Sequence, residues 1–204
     1  MAYQYANPQD VKNITHWCEE VIREVQNAVR SYFTFDIRLI GSGDKKLVTQ
    51  NTADGNFDLD YNLILQRDKQ GIINDPKRIK QLFIDKFNAV ARQHGFEYAN
   101  DSTSVITVRL VKDKRLKFSF DVAILAEGPS GAFHRLTHDK GTGRYIWNEV
   151  RHSKNYVDDF QWIKENKWKE FMNEYLRLKN HHLRQNDGVK SFSIFLEAIN
   201  SFRR

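Results

Sequence analysis

The sequence predicts an α+β fold: a mixed or antiparallel sheet flanked by helices, with a C-terminal helical segment. Three observations carry that prediction. Apolar residues recur at helical spacing through the first thirty or so positions. Around Asp58 and again around Asp121 the spacing drops to two, the period of a strand with one buried face. After Val157 the helical spacing returns.

Composition sets the limits. The chain has 204 residues, of which 40% are hydrophobic and 13% aromatic, with only 3 prolines and 10 glycines. That is enough to bury the core of one domain, or of one domain with a helical appendage. The expected division is residues 1–150 as the main domain and 151–204 as the appendage. No apolar run approaches the length of a membrane span, and Met1 to Pro8 lacks a basic and apolar signal segment. Cys18 is the single cysteine, which rules out an internal disulfide framework. These features together predict a cytoplasmic protein with no membrane partner. A net charge of +6 and a pI near 9.3 favour phosphate-bearing partners.

Asn7-Pro8-Gln9-Asp10 reads as a helix start, with Asn as N-cap, Pro in the first turn and an acid nearby. Val11, Ile14, Trp17, Val21, Val25 and Val29 then mark an amphipathic helix to about Tyr32. Cys18 lies on or beside that stripe, as a small core residue. Phe35 to Ile40 alternates as a strand and runs into Gly41-Ser42. Gly43 to Asn56 is polar and reads as a connection to the strand Phe57 to Leu65. Asn74-Asp75-Pro76 opens a second helix, which Gly95 closes. Ser104 to Val111 is a strand, and Asp113-Lys114 is the turn of a hairpin into the strand Leu116 to Leu125. Glu127 to Lys154, with Gly128-Pro129-Ser130-Gly131 and Gly141-Thr142-Gly143, reads as a loop-rich domain boundary. Val157 to Leu178 predicts one or two helices, and a last helix begins near Val189.

The chemistry concentrates in the two alternating strands. In the first, Phe57, Leu59, Tyr61, Leu63 and Leu65 form the buried face, leaving Asp58, Asp60 and Asn62 on the other. In the second, Phe118, Phe120, Val122 and Ile124 are buried and Asp121 points to the opposite side. If the strands are neighbours, three carboxylates converge, and like charges so close repel unless a cation lies between them. Mg²⁺ is usually held by one or two carboxylates together with substrate phosphates. Two such ions, about 4 Å apart, can activate a hydroxyl and neutralise a leaving pyrophosphate. Gly41 permits close backbone approach to an anion, and Ser42 adds a hydroxyl. These pieces make sense together as a triphosphate-and-metal site.

Gly41-Ser42, a polar loop, Asp58-Leu59-Asp60 and a later strand-borne Asp121 resemble the signature of the polymerase-beta-type nucleotidyltransferases. The long helix ahead of the Gly-Ser strand, and Gly188 to Glu197 near the end, are similar to one branch of that superfamily. It holds oligoadenylate synthetases, bacterial cyclic-oligonucleotide synthases and archaeal CCA-adding enzymes. The resemblance spans roughly Leu39 to Leu125 and implies a nucleotidyltransferase-like catalytic domain. It implies an enzyme that moves a nucleoside monophosphate from an NTP to a hydroxyl acceptor, releasing pyrophosphate. Gly41, Ser42, Lys190 and Ser191 would contact the triphosphate. Asp58 and Asp60 would ligate two Mg²⁺ ions (or Mn²⁺), and Asp121 would complete the metal site and assist deprotonation of the acceptor.

The acceptor stays open at this point: RNA, another nucleotide, a protein or a small molecule. Two departures bear on it. Fifteen residues separate Ser42 from Asp58, more than in compact members, and 204 residues leave little for an acceptor-binding helical domain. A small acceptor, a partner chain or an inactive relative would each fit. The alternative function is therefore a catalytically inactive nucleotide- or RNA-binding module of the same fold.

Other candidates read as structural. His134, His138 and Asp139 have ligand-like spacing but no fourth ligand, and are expected in a solvated loop. Trp147, Trp162 and Trp168 could stack a base, although aromatics at this spacing are more often core. Lys140 and Arg144 could reach a phosphate from the Gly-Thr-Gly loop. His181-His182 follows a basic helix end and carries no assigned chemistry.

Overall fold

A computed structural model describes residues 2–112, 115–150 and 156–203. In chain order the elements are β1 (Tyr3–Tyr5), α1 (Pro8–Ala28), β2 (Phe33–Ile40), α2 (Gly41–Lys45), β3 (Thr49–Asn51), β4 (Asp58–Asp68), α3 (Pro76–Gln93), β5 (Asn100–Asp101), β6 (Ile106–Lys112), β7 (Arg115–Glu127), β8 (Phe133–Asp139), β9 (Arg144–Glu149), α4 (Val157–Asn166), α5 (Trp168–Gln185) and α6 (Ser191–Asn200). The fold is α+β, with a mixed sheet flanked by helices.

Helix starts follow their caps. The Asn7 side chain accepts the Gln9 N–H at 2.8 Å, and the Asp75 side chain accepts the Arg78 N–H at 3.0 Å. Pro8 and Pro76 open the two helices that follow. Helix α1 stops at Ala28, short of the expected Tyr32, because the chain tightens into a turn in which Tyr32 N–H donates to Val29 O. That turn delivers Phe33 to the core, fully buried. Helix α3 ends at Gln93, and Gly95 follows at φ +79, a conformation only glycine takes without strain.

Among the described residues the main sheet has seven strands, with β2-β4-β7-β6-β5 along one path and β8 pairing both β7 and β9. Strands β2 and β4 are antiparallel, β4 and β7 are parallel, and β7 runs antiparallel to β6 and β8. A parallel pair needs a long crossover, here the segment that carries α3. Strands β1 and β3 form a separate two-stranded ribbon.

The stretch after Glu127 is not the loop-rich segment its sequence suggests. It is the hairpin β8–β9, with Gly131 (φ +78) in the turn that joins it to β7 and Gly143 (φ +68) in its own turn. The strand period is masked because both faces carry polar residues; only Leu136 of β8 is fully buried. His138 sits in that hairpin rather than in a solvated loop: its Nδ1 lies 2.7 Å from Asp101 Oδ2 and its ring stacks on Tyr145. Trp147 is also structural, donating its indole N–H to Ile73 O at 2.9 Å. The predicted Asp113-Lys114 turn and residues 151–155, where the expected domain boundary falls, lie outside the described residues.

Two cores result. The larger lies between one sheet face and helices α1 and α3, and includes Val21, Val25, Leu59, Phe83, Phe87 and Phe120. The smaller joins α4, α5 and α6 through Phe160, Phe171, Phe195 and Ile199, and takes in Leu47 from the segment after α2. Burying each such side chain contributes about 1.5–3 kcal/mol. The helical segment after Val157 is two helices because the backbone breaks at Lys167 (φ −140, ψ 25), and α6 begins at Ser191.

Candidate active site

The alternation of β4 decides where its acids go. Leu59, Tyr61 and Leu63 are buried to 1% exposure or less, so Asp58 and Asp60 must emerge on the opposite face. The parallel register with β7 sets Asp60 beside Asp121 and Asp58 beside Ser119. Adjacent strands lie about 4.8 Å apart, so Asp60 and Asp121 are direct neighbours. One strand further, Thr107 of β6 pairs with Asp121. The Ser119 hydroxyl donates to Asp58 Oδ1, which ties that carboxylate back to the sheet.

Electrostatics register the crowding. Burial, then Asp121, then Asp58 push the Asp60 carboxyl up to about 6, against the opposing pull of Arg135 and Lys45. Asp121 is also raised, first by burial, and a hydrogen bond from Thr107 works the other way. Asp121 Oδ1 is buried and has no hydrogen-bond partner among the described residues. Among those residues no three ligating side chains are already gathered around one point. The donor set is nevertheless one that a hard divalent cation fits: carboxylate oxygens, mutually repelling, one of them unserved.

The strand before the acids ends against them. Gly41 adopts φ +64, and a Cβ placed there would lie 2.7 Å from Asp60 Oδ2. Only glycine fits, on both counts. Gly41 to Lys45 forms the short helix α2, so the polar connection expected from Gly43 to Asn56 begins as helix. Its Lys45 donates to Gly41 O at 3.4 Å and lies over the Phe195 ring; burial lowers its pKa.

Gly41, Ser42, Asp58, Asp60 and Asp121 line one cavity of about 620 Å³, the size of a small-molecule site. Its far wall is helical: Tyr175 and Lys179 from α5, then Ser191, Phe192 and Phe195 from α6. Ser191, expected at a triphosphate, lines this cavity. Lys190 does not line the cavity; it is the exposed residue that precedes α6. The lysines at the cavity are Lys45 and Lys179. Lys179 donates to Thr49 Oγ1 at 2.8 Å and lies 4.5 Å from the Tyr3 ring centre. Burial lowers its pKa to about 8, while Asp58 pulls the other way. The signal for Lys179 is in the sequence: it is four residues after Tyr175, on the buried stripe of α5, where a cation is out of place.

Two contacts hold that helical wall. Asn180 accepts the Tyr3 N–H at 2.7 Å and donates to Tyr3 O at 3.0 Å, pinning β1 onto α5. His182 bridges Asp187 at 2.6 Å and Glu197 at 2.9 Å, tying the end of α5 to the turn that delivers Ser191. Both carboxylates raise its pKa.

No protein-family model matches the chain, and no curated protein does. Solved structures do match. The STING-associated CdnE c-di-GMP synthase from Capnocytophaga granulosa superposes with a TM-score of 0.65 at 14% identity, over 95% of this chain and 60% of that one. The Vibrio cholerae di-nucleotide cyclase DncV, in its 3′-deoxy ATP bound form, gives 0.57 at 18% identity, over 89% and 49%. The Rhodothermus marinus CdnE c-UMP-AMP synthase with Apcpp and Upnpp gives 0.56 at 12% identity, over 97% and 72%. The chain thus shares the fold of these nucleotide-handling synthases, and it spans less than two thirds of the first two.

Proposed function

We propose that this protein is a nucleotidyltransferase that moves a nucleoside monophosphate from an NTP to a hydroxyl acceptor and releases pyrophosphate. One observation carries the reading. Asp60 and Asp121 are register partners lining a cavity, Gly41 is pressed against Asp60, and a half-buried lysine and a serine line the same cavity. Two of the matched structures hold nucleotides, one 3′-deoxy ATP and the other Apcpp and Upnpp, which suits a triphosphate in that cavity.

In this reading the triphosphate lies between Gly41-Ser42 and the wall formed by Lys179 and Ser191. Lys45 and Lys179 offset its charge in a partly desolvated site, where each cation counts for more than in water. Phe192, 49% exposed beside Ser191, offers a face on which the base can stack. Asp58, Asp60 and Asp121 would hold two Mg²⁺ ions (or Mn²⁺), which supply charge neutralisation and hydroxyl activation when bound. Asp121, its Oδ1 unserved, would take the acceptor proton. Catalysis is then positioning and charge matching, without a covalent enzyme intermediate. Lys190 is left outside this arrangement.

The two cores support a division into a catalytic unit, residues 1–150, and a helical appendage, residues 151–204, that closes the cavity. No helix of the described residues is long and apolar enough to cross a membrane, in keeping with action in the cytoplasm. The products named for the matched structures are cyclic dinucleotides, which makes a second nucleotide the first acceptor to try. Pyrophosphate release from each of the four NTPs with Mg²⁺, read beside nucleotide-induced thermal stabilisation, tests the proposal. Stabilisation without release, unchanged in Asp121→Asn, would instead favour the non-catalytic binding module.

A further inference from the structure

Part of the helical wall has open space on two sides. Tyr3, Lys179 and Ser191 line the main cavity and also a second one of about 180 Å³, which His182, Leu183 and Asp187 line as well. Ser191 is therefore not wedged in place by packing. Every residue from Arg184 to Ser193 is exposed, so no buried side chain holds the turn between α5 and α6. That turn runs through two left-handed residues, Asn186 (φ 52) and Gly188 (φ +68).

What holds it is polar. Asp187 Oδ1 accepts the Val189 N–H at 3.1 Å, inside the turn. Its Oδ2 lies 2.6 Å from His182 Nδ1, and Glu197 Oε2 lies 2.9 Å from His182 Nε2. One ring thus joins the last turn of α5, the connection and the middle of α6. The proton count fixes the charge this needs. A carboxylate only accepts, so both ring nitrogens must donate, and only the imidazolium carries two N–H groups. A neutral ring would serve one carboxylate and turn a lone pair on the other.

The remaining charges around the ring are few. Helix α6 has no charged residue besides Glu197, and β1 brings only Tyr3. On α5, Lys179 lines the same small cavity, the His181 ring centre is 5.5 Å away, and Arg177 feels the Glu197 charge. Arg184 and Lys190 are exposed at either end of the turn.

We infer that His182 is a positioning residue for the triphosphate site: its imidazolium, through Asp187 and Glu197, holds the turn that presents Ser191 and Phe192 to the main cavity. This rests on the nucleotidyltransferase reading. His182 does not line the main cavity itself, so it acts on the nucleotide only through that turn. Both carboxylates raise its pKa. The clamp is therefore fully present below the ordinary histidine value of about 6.5, and is lost as pH rises through the raised one.

The test compares affinity for α,β-methylene-ATP with Mg²⁺, measured by calorimetry at pH 6 and pH 9, in wild type and His182→Gln. Glutamine offers one donor end and one acceptor end, as neutral imidazole does. At pH 6 wild-type protein should bind about fivefold more tightly than His182→Gln, the scale of partly exposed ion pairs. At pH 9 the two should agree within about twofold. Asp60 and Lys179 titrate in both proteins and cancel in the comparison. Glu197→Gln lets a neutral His182 accept at Nε2, so at pH 9 this variant should bind about fivefold more tightly than wild type. At pH 6 the loss in His182→Gln should appear in KM for NTP and not in kcat. Equal affinities at pH 6, or a gap that persists at pH 9, would overturn the role. Failure of the analogue to bind any of these proteins would count against the transferase reading instead. Protection of the Val189 and Ser193 amides against hydrogen exchange, measured without nucleotide, then decides. Protection lower in His182→Gln at pH 6 and equal at pH 9 would support the clamp, and any other pattern would overturn it.

Discussion

Gly41 and Asp60 touch: the missing side chain of one is the space that the carboxylate of the other occupies. A Cβ on Gly41 would sit 2.7 Å from Asp60 Oδ2, at a backbone φ of +64. The end of β2 and the acidic face of β4 are therefore fitted to each other, and the turn at Gly41 cannot move without moving an acid. Gly41→Ala should cost about 1–2 kcal/mol from left-handed strain alone. The clash should displace Asp60 as well, so NTP turnover should fall by more than the stability loss accounts for. Calorimetric unfolding and initial rates on the same preparation check both.

Asp60 is held neutral-leaning by its surroundings, with a pKa of about 6. A carboxyl raised above its unfolded value binds protons more readily when folded. The contribution of Asp60 to cation-free stability is therefore greatest at low pH and declines as pH rises from about 4 to about 6. Asp60→Asn should stabilise the cation-free protein at pH 7 by about 1 kcal/mol once solvent screening is allowed for, while removing activity. An Asp60→Asn protein that melts earlier than wild type at pH 7 would contradict this reading of the acidic face.

Lys179 has the opposite linkage. Burial lowers its pKa to about 8, so the folded protein sheds this proton before the unfolded chain does. Its burial penalty is present below about 8 and is relieved as pH rises toward the unfolded value, so stability gains with pH across that window. Nucleotide affinity should move the other way: KM for NTP should rise above about pH 8 as the charge is lost. Lys179→Arg, charged throughout, should flatten that limb of the profile.

How much of this is legible in the sequence depends on range. Local features are: the Asn7 and Asp75 caps, the alternation that aims Asp58 and Asp60 away from Leu59 and Tyr61, and Asp121 in its apolar strand. The parallel register that sets Asp60 beside Asp121 is set by long-range packing, so the sequence supports it only as a conditional expectation. Hairpin β8–β9 escapes notice because Arg135, Thr137, Tyr145 and Trp147 give neither face a clean apolar run. Lys190 stands in for Lys179 in the sequence because it adjoins Ser191 along the chain, whereas the cavity is assembled in space. A helix turn returns Lys179 to the cavity from twelve residues earlier.

Tyr3 has no counterpart in the sequence argument, yet its ring lies 4.5 Å from Lys179 Nζ. Tyr3→Leu keeps the backbone bonds to Asn180 and removes the cation–ring contact. A contact of that kind is worth about 0.5–2 kcal/mol, so KM for NTP should rise about twofold to thirtyfold. The rate at saturating NTP should hold, since Tyr3 acts by positioning the lysine. A fall in kcat with KM unchanged would assign Tyr3 a different role.

The pairing of Asp60 with Asp121 is the centre of the account, and label transfer tests it most directly. Wild-type protein incubated with Mg²⁺ and α-labelled NTPs, each alone and in pairs, should give a labelled transfer product. Asp60→Asn and Asp121→Asn should each lower product formation by at least about a thousandfold, while Asp121→Asn still binds a non-hydrolysable NTP. Product formation that survives both substitutions would contradict the account, as would no product from the wild type with any NTP combination.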